Sequence, residues 1–185
     1  AIQLGRYKHT VLVIDSGDGR STLCRSYHNV LGYPDGVSGE YLRNIGRKQA
    51  ESLGVEFLLE KVDSVSKAEE GFVITVYNRS RYQGKRILIA TGVMDRLPPI
   101  PSLIPCLGES VYVCPDCDGY EIRDQETIVL GSGNVGANMA LTLTYWTDKL
   151  TYVNHEMQEV SSEILQQLKN RKINYYHQPI KDCLA

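Results

Sequence analysis

The chain has 185 residues, of which 42% are hydrophobic and 23% are charged, as is ordinary for a soluble globular protein. Its formal net charge is -2 and no polybasic tract is present, so neither nucleic acid nor an anionic membrane is indicated as a partner. No apolar run is long enough to cross a bilayer and no signal-peptide pattern occurs, so we expect a cytoplasmic protein.

Both ends of the sequence have the pattern of interrupted elements. Residues 1–7 are typical of the last turns of a helix, and no initiating Met precedes them. Residues 180–185 stop without a finishing element. We therefore expect a fragment of a longer protein.

The first predicted strand covers residues 10–15, a continuous apolar run that ends in an acid. Such a run is typical of a parallel strand that is buried on both faces. An acid at the carboxyl end of a strand in a dinucleotide-binding unit can accept hydrogen bonds from ribose hydroxyls, which makes Asp15 a candidate cofactor-binding residue. A helix cap or a turn residue is the alternative interpretation of Asp15.

Residues 20–90 alternate between loops, one helix and several strands. Residues 20–37 are polar and interrupted by Gly and Pro, as in a functional loop. Ser38 can cap a helix that runs to about Leu53, and Gly54 can end it. Strands are predicted at residues 55–59, 62–65, 72–77 and 82–90, with an alternation that indicates an antiparallel meander.

Residues 87–92 also have the pattern of a buried strand, ending in the small residues Thr91 and Gly92, where a backbone can approach a ligand closely. The Pro-rich residues 97–101 are expected to break all regular structure. This segment gives the predicted domain boundary, with one domain at residues 1–97 and a second at 98–185.

A Cys-x-x-Cys motif at Cys114 and Cys117 is the candidate catalytic site, because two thiols at this spacing can form a disulfide with little movement. Pro115 restricts the backbone between them, and Asp118 can exchange the proton that thiol–disulfide chemistry requires. Zinc ligation or burial as small apolar residues are the alternatives. A zinc site would need a second ligand pair, and the other cysteines, Cys24, Cys106 and Cys183, occur singly, so no metal site is predicted.

The last third of the chain contains a Gly-x-Gly-x-x-Gly motif in its proper context. A predicted strand at residues 127–130 leads into Gly131, Gly133 and Gly136, after which a helix and a strand at residues 150–153 follow. This order is typical of a turn that binds a dinucleotide pyrophosphate at a helix N-terminus. A chance glycine-rich turn is the alternative. A further helix is predicted at residues 161–172 and a further strand at residues 173–176.

Together these motifs resemble the low-molecular-weight thioredoxin reductase family of flavoprotein disulfide oxidoreductases, over the whole chain and against the family's middle portion. The Ala-Thr-Gly segment at Thr91 and Gly92, the cysteine pair and the glycine motif match the family's motifs, and Asn29 is similar to an asparagine near the flavin ring. The resemblance implies an α/β fold of two Rossmann-like three-layer nucleotide-binding domains. Residues 1–97 would be a partial FAD-binding domain, and residues 98–185 a partial NAD(P)-binding domain that carries the redox motif.

The family resemblance also implies an enzyme that passes electrons from NAD(P)H through FAD to a Cys114–Cys117 disulfide, and then to a thioredoxin-like protein or a small disulfide. By analogy Cys117 faces the flavin, Cys114 attacks the substrate, and Asp118 is the acid and base. A homodimer is implied as well. The cofactor-binding residues implied for FAD and NAD(P) are Asp15, Asn29, Thr91, Gly92, Gly131, Gly133, Asn134, Val135, Gly136, Asn154 and Glu156.

The chain departs from the family pattern at two places. The turn that would hold the FAD pyrophosphate would lie upstream of Ala1, so this chain alone is expected to bind flavin poorly. Where members that use NADPH carry a basic cluster, this chain has Asn154 and Glu156, which predicts NADH over NADPH or loss of nicotinamide use. Glu156 can also be a solvent-exposed loop acid. A different electron donor, or a non-catalytic nucleotide- or metal-binding module, are the alternative functions.

Overall fold

The structure is a computed structural model that describes residues 1–182, so Cys183 lies outside the described part. The residues divide into two units, Ala1–Arg96 and a second that begins at Leu97. Each unit has its own sheet structure. Among the described residues, no helix is long and apolar enough to cross a membrane.

The first unit begins with a parallel strand pair and three helical segments. It contains α1 (Ile2–Arg6), β1 (Leu12–Asp15), a 3-10 helix (Arg20–Thr22), α2 (Gly39–Glu51) and β2 (Glu56–Leu59). Strands β1 and β2 are parallel, with Leu12 opposite Glu56 and Asp15 opposite Leu59. The predicted cap of α2 is confirmed, because the Ser38 hydroxyl accepts a hydrogen bond from the Tyr41 N–H at 3.1 Å.

The expectation that β1 is buried on both faces is wrong for this chain. Leu12 is exposed, and Val13, Ile14 and Asp15 are only half-buried. Within residues 1–182, β1 pairs with β2 alone. In a two-stranded sheet the outer edge of each strand is unpaired, and the sheet cannot cover its own faces. The burial of β1 is therefore incomplete.

The predicted antiparallel meander is confirmed. It consists of β3 (Val62–Ala68), β4 (Gly71–Val76) and β5 (Arg81–Gly84), in the order β3-β4-β5. Strand β3 is exposed over most of its length, whereas β4 is half-buried and ends at the buried Val76. The expectation of one solvated face is not met, because β3 is exposed on both faces and β4 is half-buried on both.

The predicted strand at residues 87–92 does not form. Strand β5 ends at Gly84, and the following residues are irregular, with Leu88 and Ile89 exposed by 77% and 71%. A strand needs a neighbour for its backbone hydrogen bonds, and none of the strands described within residues 1–182 pairs with this segment. The apolar sequence therefore lacks the partner that would bury it.

The Pro-rich boundary segment is more regular than expected. Its last proline, Pro101, starts a 3-10 helix (Pro101–Cys106), and Leu103 and Leu107 are buried. Proline suits the first position of a helix, because the missing N–H would have no partner there and its φ is already helical. The prediction that all regular structure is broken here is therefore wrong from Pro101 onward.

The second unit is a parallel α/β layer in the predicted order. After the single helical turn α3 (Pro115–Asp118), it contains β6 (Thr127–Gly131), α4 (Gly133–Leu143), β7 (Leu150–Asn154), α5 (Ser162–Asn170) and β8 (Asn174–Tyr176). The sheet order is β6-β7-β8 and both pairings are parallel. The buried cluster of this unit is Val129, Ala137, Ala140, Leu150, Tyr152, Val160, Leu168 and Ile173. The expected α/β nucleotide-binding fold is confirmed.

Small residues bring α4 unusually close to the sheet. A Cβ at Gly136 would lie 2.8 Å from the Gly131 Cα and 2.7 Å from Cε2 of Tyr152. Non-bonded carbon atoms in a packed core lie farther apart, at about 3.5–4.0 Å. The third glycine of the motif is therefore required by packing between β6, α4 and β7.

We expect Gly136→Ala to lower the free energy of unfolding by about 1–3 kcal/mol, because the added methyl group overlaps Gly131 and the Tyr152 ring. Urea denaturation, monitored by circular dichroism, measures the change in the free energy of unfolding. Gly46→Ala in α2 is the control, since a Cβ there meets nothing within 4 Å. It should raise stability by about 0.5–1 kcal/mol, because alanine is the better helix residue. Equal effects of the two substitutions would contradict the close packing.

Candidate functional site

The two cysteines of the motif lie on a single helical turn. Cys114 is the N-cap of α3 (Pro115–Asp118), and Pro115 takes its first position. The Cys114 carbonyl accepts hydrogen bonds from the Cys117 N–H at 3.2 Å and the Asp118 N–H at 2.9 Å. Side chains at the N-cap and the third helical position lie on the same side of a helix start. The backbone therefore holds the two side chains on one side, and neither is in a disulfide in the structure.

The residues that directly follow the cysteine pair are helical. Helix α3 ends at Asp118 and is followed directly by a 3-10 helix (Gly119–Ile122). Three residues compatible with helical backbone, Asp118, Gly119 and Tyr120, permit this continuation. The redox motif is thus at the start of a short helical segment and not at the entrance of a loop.

The two thiols differ in their access to solvent. Cys117 is exposed, whereas Cys114 and the neighbouring Asp118 are half-buried. The family resemblance gives the attack on substrate to Cys114, which is the less exposed of the two in this structure. The assignment of the two roles therefore stays a prediction.

Gly119 joins the thiol segment to the α/β layer of the second unit. A Cβ at Gly119 would lie 2.6 Å from Cε2 and Cζ2 of Trp146, just beyond the end of α4. The Asp124 N–H also donates to the Trp146 carbonyl at 3.1 Å. Because the Trp146 ring lies directly on the Gly119 backbone, the position of α3 is coupled to the end of α4.

The segment leading to the thiols lies in a negative electrostatic field. Burial, followed by the charges of Glu121, Asp118 and Glu109, raises the pKa of Tyr112 above its usual value. The Tyr112 hydroxyl also donates to the Glu109 carbonyl. Burial and these three carboxylates therefore favour the neutral, protonated form of the Tyr112 phenol.

The glycine-rich turn opens onto the first turn of α4. Ser132 is the N-cap, and Gly133 has a φ of +50°. Asn134 and Val135 are exposed, Val135 by 81%. Within residues 1–182, no protein acceptor is recorded for the backbone N–H groups of these two residues. A helix start with exposed residues and N–H groups that have no acceptor among the described residues suits the pyrophosphate of a dinucleotide.

The predicted nucleotide contacts differ in how much surface they offer. Asn134 is exposed, but its side-chain oxygen accepts a hydrogen bond from the Ser161 N–H at 2.9 Å, which joins the starts of α4 and α5. Glu156 is exposed in the turn after β7. Asn154 is 0% exposed, so the direct contact predicted for its side chain is not available in this structure. Its side chain makes hydrogen bonds in the interior instead, to the Gly133 N–H and the Gln158 carbonyl.

In the first unit, Asp15 lies at the carboxyl end of β1, as predicted, but its carboxylate is already engaged. It accepts a hydrogen bond from the Gly17 N–H at 3.0 Å and pairs with the Arg43 guanidinium at 2.5 Å. A cleft of about 460 Å³ adjoins the pair. Its lining residues are Ala1, Ile2, Gln3, Asp15, Arg43, Asn44, Gly46, Arg47, Phe57, Leu58 and Leu59.

The remaining predicted flavin contacts lie in irregular, exposed segments. Asn29 is in the loop before α2, and Thr91 and Gly92 are in the segment that does not form a strand. Within the described chain, no hydrogen bond or ring contact joins these three residues to Asp15. Residues 1–96 also contain no strand followed directly by a glycine-rich turn and an α-helix. The described residues therefore do not form a complete dinucleotide cradle for FAD in the first unit.

Several residues around these sites were missed by sequence reasoning. Arg43 was missed because nothing in its sequence neighbourhood marks an arginine 28 positions away as the partner of Asp15. Tyr152 and Tyr175 look like ordinary strand residues, although their rings stack with centroids 5.5 Å apart. The only available signal was their position on the strands that follow the glycine motif. Among residues 1–182, no group of three or more His, Cys, Asp or Glu side chains could hold a metal ion.

Comparison with known proteins is consistent with this geometry. A model of the family "pyridine nucleotide-disulphide oxidoreductase" matches residues 1–179. Thioredoxin reductase from Rickettsia bellii is 31% identical over 158 residues, which cover 84% of this chain and 51% of that protein. Thioredoxin reductase from Treponema pallidum is 33% identical over 146 residues, covering 77% and 47% of the two chains.

The crystal structure of thioredoxin reductase from Streptococcus pyogenes superposes with a TM-score of 0.80 at 26% identity, covering 96% of this chain and 60% of that one. The chain spans about half the length of the curated relatives described above.

We expect Gly119→Ala to lower the free energy of unfolding by about 1–3 kcal/mol, because the new methyl group overlaps the Trp146 ring. In a Trp146→Leu background the same substitution should be less harmful, since the smaller side chain leaves room. A double-mutant cycle from urea denaturation should give a coupling of at least about 0.5 kcal/mol. Additive effects would show that Gly119 and Trp146 do not depend on each other.

Proposed function

The chain belongs to the pyridine nucleotide-disulphide oxidoreductase family, and on that basis we propose that it acts as a flavin-dependent disulfide oxidoreductase. Electrons would pass from NAD(P)H through FAD to the Cys114–Cys117 pair, and from there to thioredoxin or a small disulfide. The observation that carries the proposal is the position of the two cysteines on one helical turn, with Cys114 at the N-cap of α3, its carbonyl accepting from the Cys117 N–H, and Cys117 exposed.

The thiol pair can reduce a disulfide in two exchange steps. The thiolate of one cysteine attacks a sulfur of the substrate, the substrate S–S bond breaks, and a mixed disulfide forms. The second cysteine then attacks the mixed disulfide, which forms the Cys114–Cys117 bond and releases the second substrate thiol. Two electrons leave the dithiol, and its two protons reach the departing thiolates. Asp118, next to Cys117 in sequence, is proposed to exchange those protons.

The proposed cofactors are FAD and a nicotinamide nucleotide, which together supply the electron pair when bound. On the nicotinamide side, the N–H groups of Asn134 and Val135 would hold the pyrophosphate, and Gly131, Gly133 and Gly136 would let the turn pack closely against its neighbours beneath those N–H groups. On the flavin side, the proposed contacts are Asp15, Asn29, Thr91 and Gly92. Arg43, as the partner of Asp15, would orient that carboxylate.

We further propose NADH in preference to NADPH. Glu156 is exposed in the turn that directly follows β7, where a 2′-phosphate would require positive charge. A carboxylate repels that phosphate and can accept hydrogen bonds from ribose hydroxyls. The alternative to NADH is an electron donor other than a nicotinamide, which the acidic residue at this position is also consistent with. From the family we also propose that thioredoxin is the partner and that the protein is a homodimer. The proposed location is the cytoplasm.

We expect Cys117→Ser to abolish NADH-dependent disulfide reduction while leaving nucleotide binding unchanged, because the remaining thiol cannot complete the second exchange step. Turnover is measured with 5,5′-dithiobis(2-nitrobenzoate) and with thioredoxin, using the protein as its gene encodes it. Cys106→Ser is the matched control, since the Cys106 thiol only donates to the Ser102 carbonyl at 3.4 Å, a contact that serine can keep. Unchanged turnover in Cys117→Ser would exclude this pair as the redox centre.

We expect Glu156→Arg to tighten NADPH binding by about tenfold, a change of about 1.4 kcal/mol, and to weaken the preference for NADH, because a repulsive charge is replaced by an attractive one. Isothermal titration calorimetry with both nucleotides gives the ratio of affinities. Glu126→Arg is the control, since Glu126 precedes β6 and lies toward the amino ends of the strands. If both variants shift the ratio equally, the effect is one of net charge and not of position.

A further inference from the structure

The backbone polar groups of Gly133 are both held by side chains from β7. The Gly133 N–H donates to Oδ1 of Asn154 at 3.0 Å, and the Gly133 carbonyl accepts from the Tyr152 hydroxyl at 2.8 Å. Tyr152 and Asn154 are both 0% exposed. Two residues apart on one strand, they face the same side of the sheet. The side chains of Tyr152 and Asn154 therefore hold the middle glycine of the motif by hydrogen bonds from the sheet side. We call these two side chains the Gly133 clamp.

The Tyr152 hydroxyl reaches Gly133 only because the motif's third glycine has no side chain. A Cβ at Gly136 would lie 2.8 Å from the Tyr152 hydroxyl oxygen. Burial, followed by the interaction with Tyr175, raises the pKa of Tyr152 to about 12. The hydroxyl thus keeps its proton at neutral pH and remains a donor to the Gly133 carbonyl.

The orientation of the Asn154 amide is determined by its neighbours. Because the Gly133 N–H can only donate, the oxygen of Asn154 must face it and the NH₂ group must face the other way. That NH₂ group lies 2.6 Å from the Gln158 carbonyl, 3.2 Å from the Tyr175 hydroxyl and 3.2 Å from Nδ1 of His177. The amide is therefore held by partners from both the loop after β7 and the end of β8.

We infer that Tyr152 and Asn154 are positioning residues of the nucleotide site, an inference that rests on the nucleotide binding proposed above. Gly133 has a φ of +50° and, as glycine, would otherwise sample many backbone conformations. The Gly133 clamp removes that freedom before the ligand arrives. It also withdraws the Gly133 N–H from the ligand, so that the pyrophosphate meets the N–H groups of Asn134 and Val135.

The clamp occupies the place where dinucleotide-binding folds carry the residue that recognises the ribose, the carboxyl end of the second strand. Asn154 is the last residue of β7, yet its side chain points into the protein. Ribose recognition at this strand end therefore passes to the residues that follow it in the turn. This arrangement separates two tasks, with Asn154 shaping the turn and the exposed Glu156 setting the specificity.

The test compares the affinity for NADH, by isothermal titration calorimetry, of the wild-type protein as its gene encodes it and of Tyr152→Phe. Phenylalanine keeps the ring but not the donor, so we expect the Kd to rise by about tenfold, the typical worth of one hydrogen bond. Tyr176→Phe is the matched control, an exposed tyrosine on β8 that should leave the Kd unchanged. Thiol titration of Cys114 and Cys117 should not differ among the three proteins.

Asn154→Ala gives an independent measure through backbone hydrogen exchange of residues 132–136, which should accelerate in the absence of ligand while α5 stays protected. A Tyr152→Phe protein with a lowered urea midpoint but an unchanged Kd would show a purely structural contact and overturn the positioning role. If the wild-type protein binds neither NADH nor NADPH, both the proposed nucleotide use and the clamp's role fail. If it binds and both variants bind equally well, the clamp's role alone fails.

Discussion

The close approach of α4 to the sheet at Gly131 and Gly136 is the constraint on which the second unit depends. It brings the helix start against β6 and lets the Tyr152 ring pass beneath the turn. Any side chain at Gly136 would separate helix and strand, and the Tyr152 hydroxyl would then no longer reach Gly133. The absence of a Cβ at Gly136 thus permits both the close packing of α4 on the sheet and the hydrogen bond that fixes the glycine-rich turn.

The thiol pair is attached to this framework and does not stand apart from it. Helix α3 has only four residues and so little stability of its own. Its continuation through Gly119 lies on Trp146, which follows the end of α4. Helix α4 therefore begins at the glycine-rich turn and ends close to Trp146, against which the backbone of Gly119 packs. One helix spans the distance between the glycine-rich turn and the segment that carries the cysteine pair.

In the first unit, some apolar sequence patterns that are typical of buried strands do not lead to burial, because among residues 1–182 they lack a neighbouring strand on one or both edges. Residues 87–92 have the composition of a buried strand, yet Leu88 and Ile89 are exposed, because a strand is defined by its neighbours. Strand β1 is parallel and correctly placed but incompletely buried for the same reason. By contrast, the meander β3-β4-β5 pairs only with itself and formed as its sequence indicated.

The sequence alone predicted features that depend on near neighbours in the chain. These are the Ser38 cap, the order of strand, glycine turn, helix and strand around Gly133, and the spacing of Cys114 and Cys117. Each depends on residues a few positions apart, whose backbone conformations constrain one another directly. The partners of Asp15 and Gly133 depended on the tertiary structure, since Arg43 and Asn154 lie 28 and 21 positions away. Only folding decides that Asn154 turns inward, because a side chain at a strand end goes where its hydrogen bonds are best satisfied.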